Sequence, residues 1–596
     1  MPQALTMLLG QKLPAPFENA LERLLVLDRF DQLYEEVRTS SRELPFVERF
    51  LETMNVRPEV SASDLQLVPK TGPVIVVANH PFGVIEGAVL ATLLSTVRSD
   101  VKIMANRFLA PLPEAREHCI FVDPFGGAQA ARMNRRGLKN SIDWLNQGGL
   151  LGVFPAGEVA HLNLKEGAVV DPEWNGNVAR LIRMTGATVL PIYFLGANSA
   201  LFQLLGFLHP RVRTALLAHE FLNKRNHTIE LRIGNPIGAS KLRRFEDDLA
   251  MIRYLRHRTY LMQNRESSKP SHRSRTEPVA AGVPSGPMKA EVSNMRPEQI
   301  LVETEQFQVV LAKASEIPSI LREIGRLREI TFRQVGEGTG RAADLDSFDD
   351  YYWHLFVWNR ATHEVVGAYR LGPSDEIVAR MGPKGLYTRQ LFDWKPSFLE
   401  RIQPALELGR SFVRPEYQKN FAPLLLLWRG IGRFLVRYPR YRVLFGPVSI
   451  STDYASASRQ LMVKFLNTYH RSSGLTPLVR ARNPFRVRLS RQTGELMNTA
   501  VWDIEELSTL IADIEIDRKG VPILLKQYLK LGGQLVAFNI DRNFTNALDG
   551  LIVVDLDKTD SRVLERYMGA DGAASFFKQS RSGGRLTEPC VSGRPS

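Results

Sequence analysis

The stretch VIVVANHPFGVIEG, Val74 to Gly87, decides the fold of the first half of this chain. An apolar, β-branched run leads into a turn with Pro81 and Gly83, which is typical of a buried strand entering a helix, and we expect Pro81 at the first helical position. The turn carries His80 and Glu86, which core packing does not require. Six residues of regular helix would rotate Glu86 roughly 240° away from His80. The two side chains can therefore meet only if His80 precedes the helix and folds back over its first turn.

Short β-rich runs alternate with helical runs through the whole first half of the chain. The runs are PVIVVAN, GAVLATLLSTV, CIFVD, RRGLKNSIDWLNQGG, LLGVFPAG, GNVARLIRMTGA and TVLPIYFLGAN. Such alternation predicts an α/β domain with a substantially parallel sheet. In open sheets of this kind, ligands bind beyond the carboxyl ends of the strands. The segments NHPFG and FPAGE both follow strands directly, so we expect them at the site.

A histidine beside a carboxylate suits general-base catalysis. The carboxylate fixes one imidazole nitrogen, which leaves the other nitrogen free to take a proton from an attacking hydroxyl. The structural alternative for His80 is a hydrogen-bonded histidine at a helix entry. A second small-residue turn, FPAGEVAH from Phe154 to His161, presents Glu158 after another apolar strand. Each turn alone is weak evidence for a catalytic site, but the two turns together, at their spacing in the sequence, are much more specific.

Length and composition predict several globular domains. The chain has 596 residues, 44% hydrophobic and 23% charged, which is enough to bury more than one core. Cys119 and Cys590 are too far apart in sequence to predict a disulfide framework or a metal site. The formal net charge of +14 predicts attraction to polyanions such as anionic lipid, acidic carrier proteins or nucleic acid. We read no signal peptide and no membrane span, so we expect any membrane association to be peripheral.

Composition divides the chain into two folded parts. The segment 263–299 is rich in Ser, Pro and Arg without apolar periodicity, and it predicts a disordered, flexible linker. Residues 561–596 predict a loose tail. The folded domains are accordingly expected at 20–262 and 300–560. No internal repeat relates them, so we expect two unlike domains.

The second folded part begins with a helical pattern that runs to Phe332, followed by the strand EVVGAYRLG. The later stretch LELGRSFVRPEY alternates as a strand. Regular alternation places Glu407, Gly409 and Ser411 on one face and the intervening residues on the other. A structural strand with an ion pair accounts for this pattern about as well as a site does.

The first half resembles the glycerolipid-type acyltransferases, over about Leu65 to Pro236. That family carries an NH(x4)D block, an EG(T/S) block and a later V/LP-I block. This chain departs from that pattern in two ways: the acid comes six positions after the histidine, and Gly-Glu replaces the Glu-Gly of the second block. Both departures resemble the hemolysin-related branch of the family. The segment DPEW at 171–174 resembles that branch as well. The matching residues are Asn79, His80 and Glu86, then Gly157 and Glu158, then Leu190, Pro191 and Ile192.

The resemblance implies that His80 and Glu86 are catalytic, with His80 as the base for a lipid hydroxyl that attacks an acyl thioester. It also implies substrate contacts. The implied substrate-binding residues are Asn79, Gly157, Glu158 and Pro191.

The second half resembles the N-acyltransferase branch of the GNAT fold, over about Gln308 to Leu556. This branch also contains acyl-homoserine-lactone synthases, and within it the second half most resembles the ornithine-lipid and N-acyl-amino-acid synthases. The resembling segments include RLREITFRQVGEGTGR, ELGRSFVRPEYQ and LFGPVSIS. The usual GNAT pyrophosphate loop is absent at 414–422, which reads RPEYQKNFA. Acyl carrier protein is therefore a more natural acyl donor than coenzyme A, and no tightly bound cofactor is expected.

For an amine attacking a thioester, this resemblance implies Glu407 as the catalytic base. Arg328 and Arg410 could hold a carboxylate or phosphate. Ser411 is a further implied substrate-binding residue. Asp344 and Asp346 in the turn RAADLDSFDD could receive a cationic amine. For these charged residues, an ion-paired or solvated structural role is the alternative.

Together the resemblances imply an α/β chain with an O-acyltransferase domain and a GNAT-like α+β domain. The implied product is an ornithine lipid. The second domain would N-acylate ornithine with a 3-hydroxyacyl chain, and the first would esterify the hydroxyl of the lyso-ornithine lipid. We expect a cytoplasmic enzyme at the inner membrane, with acyl carrier protein and anionic lipid as partners and no nucleic acid. A glycerophospholipid acyltransferase with an accessory GNAT-like domain, an N-acyl-amino-acid or lactone synthase, and a basic scaffold are the alternatives.

Overall fold

The computed structural model describes residues 27–40, 43–123, 128–164, 167–206, 216, 217, 219–265, 276–420, 422–489, 493, 494, 497 and 501–582. The chain clusters into two units. The first consists of residues 1–266 with 512–518, and the second of residues 267–511 with 519–596.

A seven-stranded sheet and a separate hairpin make up the strands of the first unit. They are β1 (Arg57–Glu59), β2 (Val74–Ala78), β3 (Val101–Asn106), β4 (Cys119–Val122), β5 (Leu150–Val153), β6 (His161–Asn163), β7 (Ala168–Val170), β8 (Thr188–Phe194) and β9 (Thr228–Ile233). The order in the sheet is β1-β9-β8-β2-β5-β3-β4, with β6 and β7 forming the hairpin. Every neighbouring pair in the sheet is parallel except β8 with β9. The predicted α/β domain with a mainly parallel sheet is confirmed.

Strand β2 is central in this sheet, and all five of its residues are buried. A parallel strand covered on both faces needs such a continuous apolar run. The described α-helices of this unit are Leu27–Thr39, Phe46–Thr53, Ala62–Leu65, Val84–Ser95, Ala115–His118, Ala128–Asn146, Asn177–Thr185, Ala200–Gly206, Ala239–Leu242 and Asp248–Leu261.

Residues 512–518 complete a buried polar cluster in the first unit. The Asp513 carboxylate accepts hydrogen bonds from Arg258 Nε at 3.0 Å and from the backbone N–H of Asn235 at 2.6 Å. The side chains of Arg258 and Asp513 are both almost fully buried. The predicted domain 20–262 does not include this segment, because no sequence pattern links residues more than 200 positions apart.

An eight-stranded sheet and a two-stranded sheet make up the strands of the second unit. They are β10 (Ile300–Glu303), β11 (Phe307–Lys313), β12 (Trp353–Asn359), β13 (Glu364–Pro373), β14 (Phe392–Trp394), β15 (Ala405–Val413), β16 (Val443–Ile450), β17 (Val479–Ala481), β18 (Gln534–Asp541) and β19 (Ala547–Asp555). The large sheet has the order β10-β11-β12-β13-β15-β16-β19-β18, and β14 pairs with β17. Neighbours are antiparallel except β15 and β16. This α+β arrangement agrees with the predicted fold class.

The predicted disordered linker at 263–299 is wrong for its described part. A helix spans Ser285–Ser293, and its Met288 is 4% exposed within a core cluster that includes Ile320 and Ile324. Val292 of the same helix is partly buried against this cluster, so two apolar side chains one turn apart hold a helix that composition alone does not reveal. Residues 266–275 of the predicted linker lie outside the described residues.

The predicted loose tail at 561–596 is also wrong where it is described. Helices occupy Ser561–Met568 and Ala570–Ser582, and Leu564, Met568, Ala573 and Phe576 are buried. Residues 583–596 lie outside the described part. Among the helices that the structure describes, none combines the length and the apolar character needed to cross a bilayer.

The remaining α-helices of the second unit lie between its strands. Those in the described residues are Pro318–Gln334, Ser374–Met381, Pro396–Ile402, Ala422–Arg437, Ser456–Tyr469, Ile504–Ile514 and Ile523–Lys530. The last three residues of Ile504–Ile514 belong to the first unit. The helix Pro396–Ile402 is followed directly by the cis peptide bond Gln403-Pro404.

Candidate active sites

His80 follows β2 at the carboxyl end of the first sheet and precedes the helix Val84–Ser95. The helix begins three residues later than Pro81, so the predicted helix start is wrong. Its N-cap is Gly83, with φ +114°, a conformation that a side chain would strain. This late start confirms the expected geometry, because His80 precedes the helix and Glu86 lies in its first turn.

The His80 and Glu86 side chains meet. His80 Nδ1 lies 3.3 Å from Glu86 Oε1, and the imidazole keeps 17% of its exposure while the carboxylate is fully buried. Glu86 Oε1 also accepts a hydrogen bond of 2.5 Å from the Phe82 backbone N–H. Nδ1 is buried, whereas Nε2 has no partner among the described residues. The open nitrogen is therefore the one that can take a proton.

The two turns that the sequence singled out lie together. The Phe154 ring stacks on the His80 imidazole with centroids 4.5 Å apart. The backbone N–H of Ala160 donates to the His80 carbonyl at 2.8 Å. The turn after β5 thus supports the ring and the backbone of His80.

Asp171 is a positioning residue whose role sequence reasoning missed. Its Oδ1 accepts a hydrogen bond from the His80 backbone N–H at 3.0 Å, and its Oδ2 accepts one from Trp174 Nε1 at 2.8 Å. Asp171 is 2% exposed. The segment DPEW carried the signal, because it places this carboxylate and its indole partner three positions apart.

The electrostatics of this site raise the pKa of the His80 imidazole. Burial disfavours the imidazolium, but the Glu86 carboxylate and then Asp171 outweigh it, so the pKa of His80 is raised above its ordinary value. Burial in turn raises the pKa of Asp171, although its hydrogen bonds oppose the shift.

Two residues expected to bind substrate have structural roles. The Asn79 side chain donates to the Phe194 carbonyl at 2.9 Å and accepts from the Phe194 N–H at 2.7 Å, which ties the ends of β2 and β8 together. Pro191 is buried within β8, in register with Val77. For both residues the prediction of a substrate contact is corrected, because their polar groups or positions are used by the sheet.

Gly157 and Glu158 lie on the exposed turn after β5. Gly157 has φ +68°, and no atom lies within 4 Å of the position a Cβ would take. Backbone conformation therefore accounts for this glycine. The substrate contact of Glu158 stays a prediction.

A large apolar groove opens along the helix Val84–Ser95. It has a volume of about 910 Å³, and the helix contributes the small face Val84, Gly87, Ala88 and Ala91. The opposite wall includes Leu33 and Phe50.

In the second unit, β15 leaves β16 after a short contact. The two strands pair over Ala405 to Glu407 and have no further register partners. A bulge places Arg410 and Ser411 opposite the single residue Tyr369 of β13, and Arg410 has φ +51°. Such a bulge re-aims side chains and bends the strand. An open cleft of about 570 Å³ lies where the strands diverge.

Four consecutive residues of β15, from Leu408 to Ser411, line this cleft. The predicted regular alternation along β15 is therefore wrong at the bulge. Arg410 and Ser411 line the cleft, and their roles in substrate binding stay predictions. The guanidinium of Arg410 contacts Asp344 at 3.1 Å and Asp346 at 3.3 Å.

Glu407 does not line the cleft, and its expected role as base is corrected. It is 1% exposed, and its carboxylate accepts hydrogen bonds from the Tyr352 hydroxyl and from the backbone N–H groups of Tyr387 and Thr388. These bonds occupy both oxygens, so Glu407 anchors the turn that begins at Tyr387.

The expected ligand-binding roles of Arg328, Asp344 and Asp346 are also corrected. Arg328 is fully buried and donates to Asp349 at 2.8 Å. Asp344 and Asp346 pair with Arg410, and Asp346 pairs with Arg370 as well. These three residues are absent from the cleft lining and form a charged cluster that holds the bulge.

Three carboxylates that sequence reasoning missed line the cleft: Glu337, Asp541 and Asp549. Burial raises the pKa of Glu337 to about 7, even though Ser449 donates a hydrogen bond to it at 2.8 Å. Burial raises the pKa of Asp541, and burial with nearby Asp541 and Glu337 raises that of Asp549. Asp541 and Asp549 belong to the β18-β19 hairpin, whereas Glu337 comes from a distant segment that follows the helix Pro318–Gln334, so no local motif predicts the set. Within the described residues, no group of acids, histidines or cysteines is arranged to hold a metal ion.

Two protein families match this chain, one over each unit. A family described as Acyltransferase matches residues 35–268, and one described as Acetyltransferase (GNAT) domain matches residues 327–428. The fold and sites define a two-domain acyltransferase.

Individual relatives refine this class. The chain is 30% identical over 295 residues to a glycine N(alpha)-acyltransferase of Bacteroides thetaiotaomicron, covering 46% of this chain and 86% of the relative. It is 30% identical over 281 residues to an L-ornithine N(alpha)-acyltransferase of Rhodobacter capsulatus, covering 44% and 94%. A lyso-glycine lipid O-acyltransferase of Phocaeicola vulgatus is 26% identical over 201 residues, covering 32% and 68%. The chain belongs to the family of the glycine and L-ornithine N(alpha)-acyltransferases. It carries an additional acyltransferase domain at residues 35–268.

Proposed function

We propose that this chain makes an ornithine lipid in two steps. The second unit N-acylates the α-amine of ornithine with a 3-hydroxyacyl group, and the first unit esterifies the 3-hydroxyl of the lyso-ornithine lipid. The observation that carries the proposal is the presence of both acyltransferase domains in one chain, with relatives that are named for N-acylation of an amino acid and for O-acylation of a lyso-lipid.

In the N-acylation step, the amine nitrogen attacks the thioester carbonyl carbon, the C–S bond breaks, and an amide and a thiol form. The acceptor amine arrives protonated, so a base must remove a proton. Glu337 suits this role better than Glu407, because it lines the cleft and has a pKa of about 7. Backbone N–H groups of the diverging strand β15 are the donors for the developing oxyanion.

In the O-acylation step, His80 Nε2 takes the proton of the 3-hydroxyl as its oxygen attacks the second thioester. Collapse of the tetrahedral intermediate breaks the C–S bond, and the imidazolium returns the proton to the departing sulfur. Glu86 beside Nδ1 stabilises the imidazolium and fixes the ring orientation. The apolar groove of about 910 Å³ along the helix Val84–Ser95 offers space for an acyl chain.

Acyl carrier protein is the proposed donor, and the anionic cytoplasmic face of the inner membrane is the proposed location. Both partners are acidic, and the formal net charge of +14 supports attraction to them. Acyl-coenzyme A is the alternative donor. An assay with each donor at equal concentration distinguishes them.

A second candidate acceptor is glycine. Two relatives are named glycine N(alpha)-acyltransferase, and they match this chain at 29% and 30% identity, close to the 30% of an ornithine N(alpha)-acyltransferase. A glycine lipid would require the same two steps, so the acceptor alone separates the two candidates.

The test uses the purified full chain with 3-hydroxyacyl carrier protein and either ornithine or glycine, followed by product analysis by mass spectrometry. We expect N-acyl ornithine first and a diacylated product when a second acyl carrier protein is supplied. Acylation of neither amino acid would overturn the proposed function, and acylation of glycine alone would replace ornithine as the acceptor.

A further inference from the structure

The cleft of the second unit is lined by more acidic than basic side chains. Its lining includes the carboxylates of Glu337, Asp541 and Asp549. Among the described lining residues, Arg410 supplies the one guanidinium, and two aspartates outside the cleft already pair with it. The surplus of acids contrasts with a chain whose formal net charge is +14. A cleft of this kind attracts cations locally.

Asp549 is the carboxylate that most needs a partner. It is 7% exposed and lines the cleft. In the described portion of the chain, its carboxylate makes no hydrogen bond and no ion pair. Asp541 and Glu337 lie close enough to disfavour its charge further. A buried carboxylate without a partner is costly, so a cationic ligand group would relieve that cost.

The sheet register explains why these acids converge. Asp549 of β19 lies opposite Ser449 of β16 and Asn539 of β18. Cross-strand partners point to the same face of a sheet, and Asp541 lies two residues beyond Asn539 on that face. Ser449 donates its hydroxyl hydrogen bond to Glu337, which brings the third carboxylate to the same wall.

We infer that Asp549, with Asp541 beside it, binds the side-chain ammonium of a diamino acid and so determines specificity for basic over neutral acceptors. The inference rests on the proposed N-acylation by this unit. An ammonium offers three N–H donors and one positive charge, and carboxylates that are held in a low-dielectric cleft match both. Glu337 is left to accept the proton of the α-ammonium.

This assignment gives a physical reason to prefer one class of acceptor. Glycine carries a single ammonium, which is consumed by the reaction, and it offers nothing to a second carboxylate. Ornithine and lysine carry a side-chain ammonium that stays charged throughout. A site that is built to pair a polar group discriminates strongly against an analogue that lacks it, because the group of the site is left unpaired.

The test compares ornithine with norvaline, which has the same carbon skeleton without the side-chain amine. With the full chain and one acyl donor, we expect kcat/KM for ornithine to exceed that for norvaline by about 10²-fold. In Asp549→Asn we expect this ratio to fall at least about tenfold, chiefly through a higher KM for ornithine. Asp541→Asn, judged by the same ratio, carries the test if Asp549→Asn does not fold.

Asp571→Asn is the matched control, because it removes one carboxylate from an exposed position outside the cleft, and its ratio should equal that of the unaltered chain. Equal kcat/KM for ornithine and norvaline in the unaltered chain would overturn the inference. A ratio that Asp549→Asn leaves unchanged would overturn it as well. Failure of the proposed function is distinguishable, since the unaltered chain would then acylate none of ornithine, norvaline and glycine.

Discussion

At the scale of the residue, His80 and Glu86 form a pair in which one imidazole nitrogen is covered and the other is open. Nδ1 lies 3.3 Å from Glu86 Oε1, and Asp171 fixes the backbone of the histidine from the other side. Sequence spacing predicted the pair itself. It could not predict Asp171, because that contact joins residues 91 positions apart.

We predict that Glu86→Gln lowers kcat for O-acylation by about 10²-fold, since the imidazolium loses its counter-ion and the ring loses its fixed orientation. Glutamine keeps the shape of the side chain and an oxygen for the Phe82 N–H. The measurement is the rate of ester formation on a synthetic lyso-ornithine lipid. Glu59→Gln, at an exposed position, is the control. A Glu86→Gln rate equal to that of the control would contradict the role.

The pH dependence of O-acylation follows from His80. A general base must be neutral, and the pKa of His80 is raised above its ordinary value. The rate should therefore increase with pH through a midpoint above the ordinary pKa of histidine. The change Glu86→Gln removes the negative charge that counters the effect of burial on the His80 pKa. The midpoint should therefore move to lower pH in this variant. The check is a pH profile of kcat/KM for both proteins, and a midpoint that moves upward would refute the electrostatic account.

Glu337 is the corresponding residue of the second unit. We expect Glu337→Gln to lower kcat for N-acylation by about 10²-fold, because the amide cannot accept the ammonium proton. Amide formation from ornithine, measured under saturating donor, is the readout. Glu305→Gln, an exposed change in the same unit, should behave like the unaltered chain. Full activity of Glu337→Gln would show that another group acts as the general base.

At the scale of the element, the regular part of the fold was predictable and the irregular part was not. The apolar run of β2 and the helix after it followed from periodicity. The bulge at Arg410 did not, because two residues opposite one depend on the register with β13. Glu407 itself lies before the bulge, in regular register with β13. Its carboxylate is taken up by the Tyr352 hydroxyl and by the backbone N–H groups of Tyr387 and Thr388, which no local pattern reveals.

The helix Ser285–Ser293 provides a test at this scale. We predict that Met288→Ala lowers the free energy of opening of this helix by about 2–5 kcal/mol, since it removes a buried side chain from a core cluster. Lys289→Ala, at the exposed neighbouring position, should change it by less than about 0.5 kcal/mol. Native-state hydrogen exchange of the full chain measures both. Exchange of the unaltered 285–293 amides at the rate of an unfolded peptide would contradict the packed helix.

At the scale of the whole molecule, the proposed intermediate explains why two acyltransferase domains share one chain. A mono-acylated amino acid is amphiphilic and would partition into the membrane. Two sites that are joined covalently meet this intermediate at a higher effective concentration than separate proteins would. The order of the two reactions is fixed by chemistry, because the hydroxyl that is esterified arrives with the first acyl chain.

The central claim is tested most directly by lipid mass spectrometry of a bacterium that lacks aminolipids and expresses either the unaltered chain or His80→Ala. We predict diacylated ornithine lipid from the unaltered chain and accumulation of the mono-acylated lyso form from His80→Ala. His227→Ala, at an exposed histidine of the same unit, should match the unaltered chain. Diacylated lipid at an undiminished level in His80→Ala, or no ornithine lipid of either kind from the unaltered chain, would contradict the account.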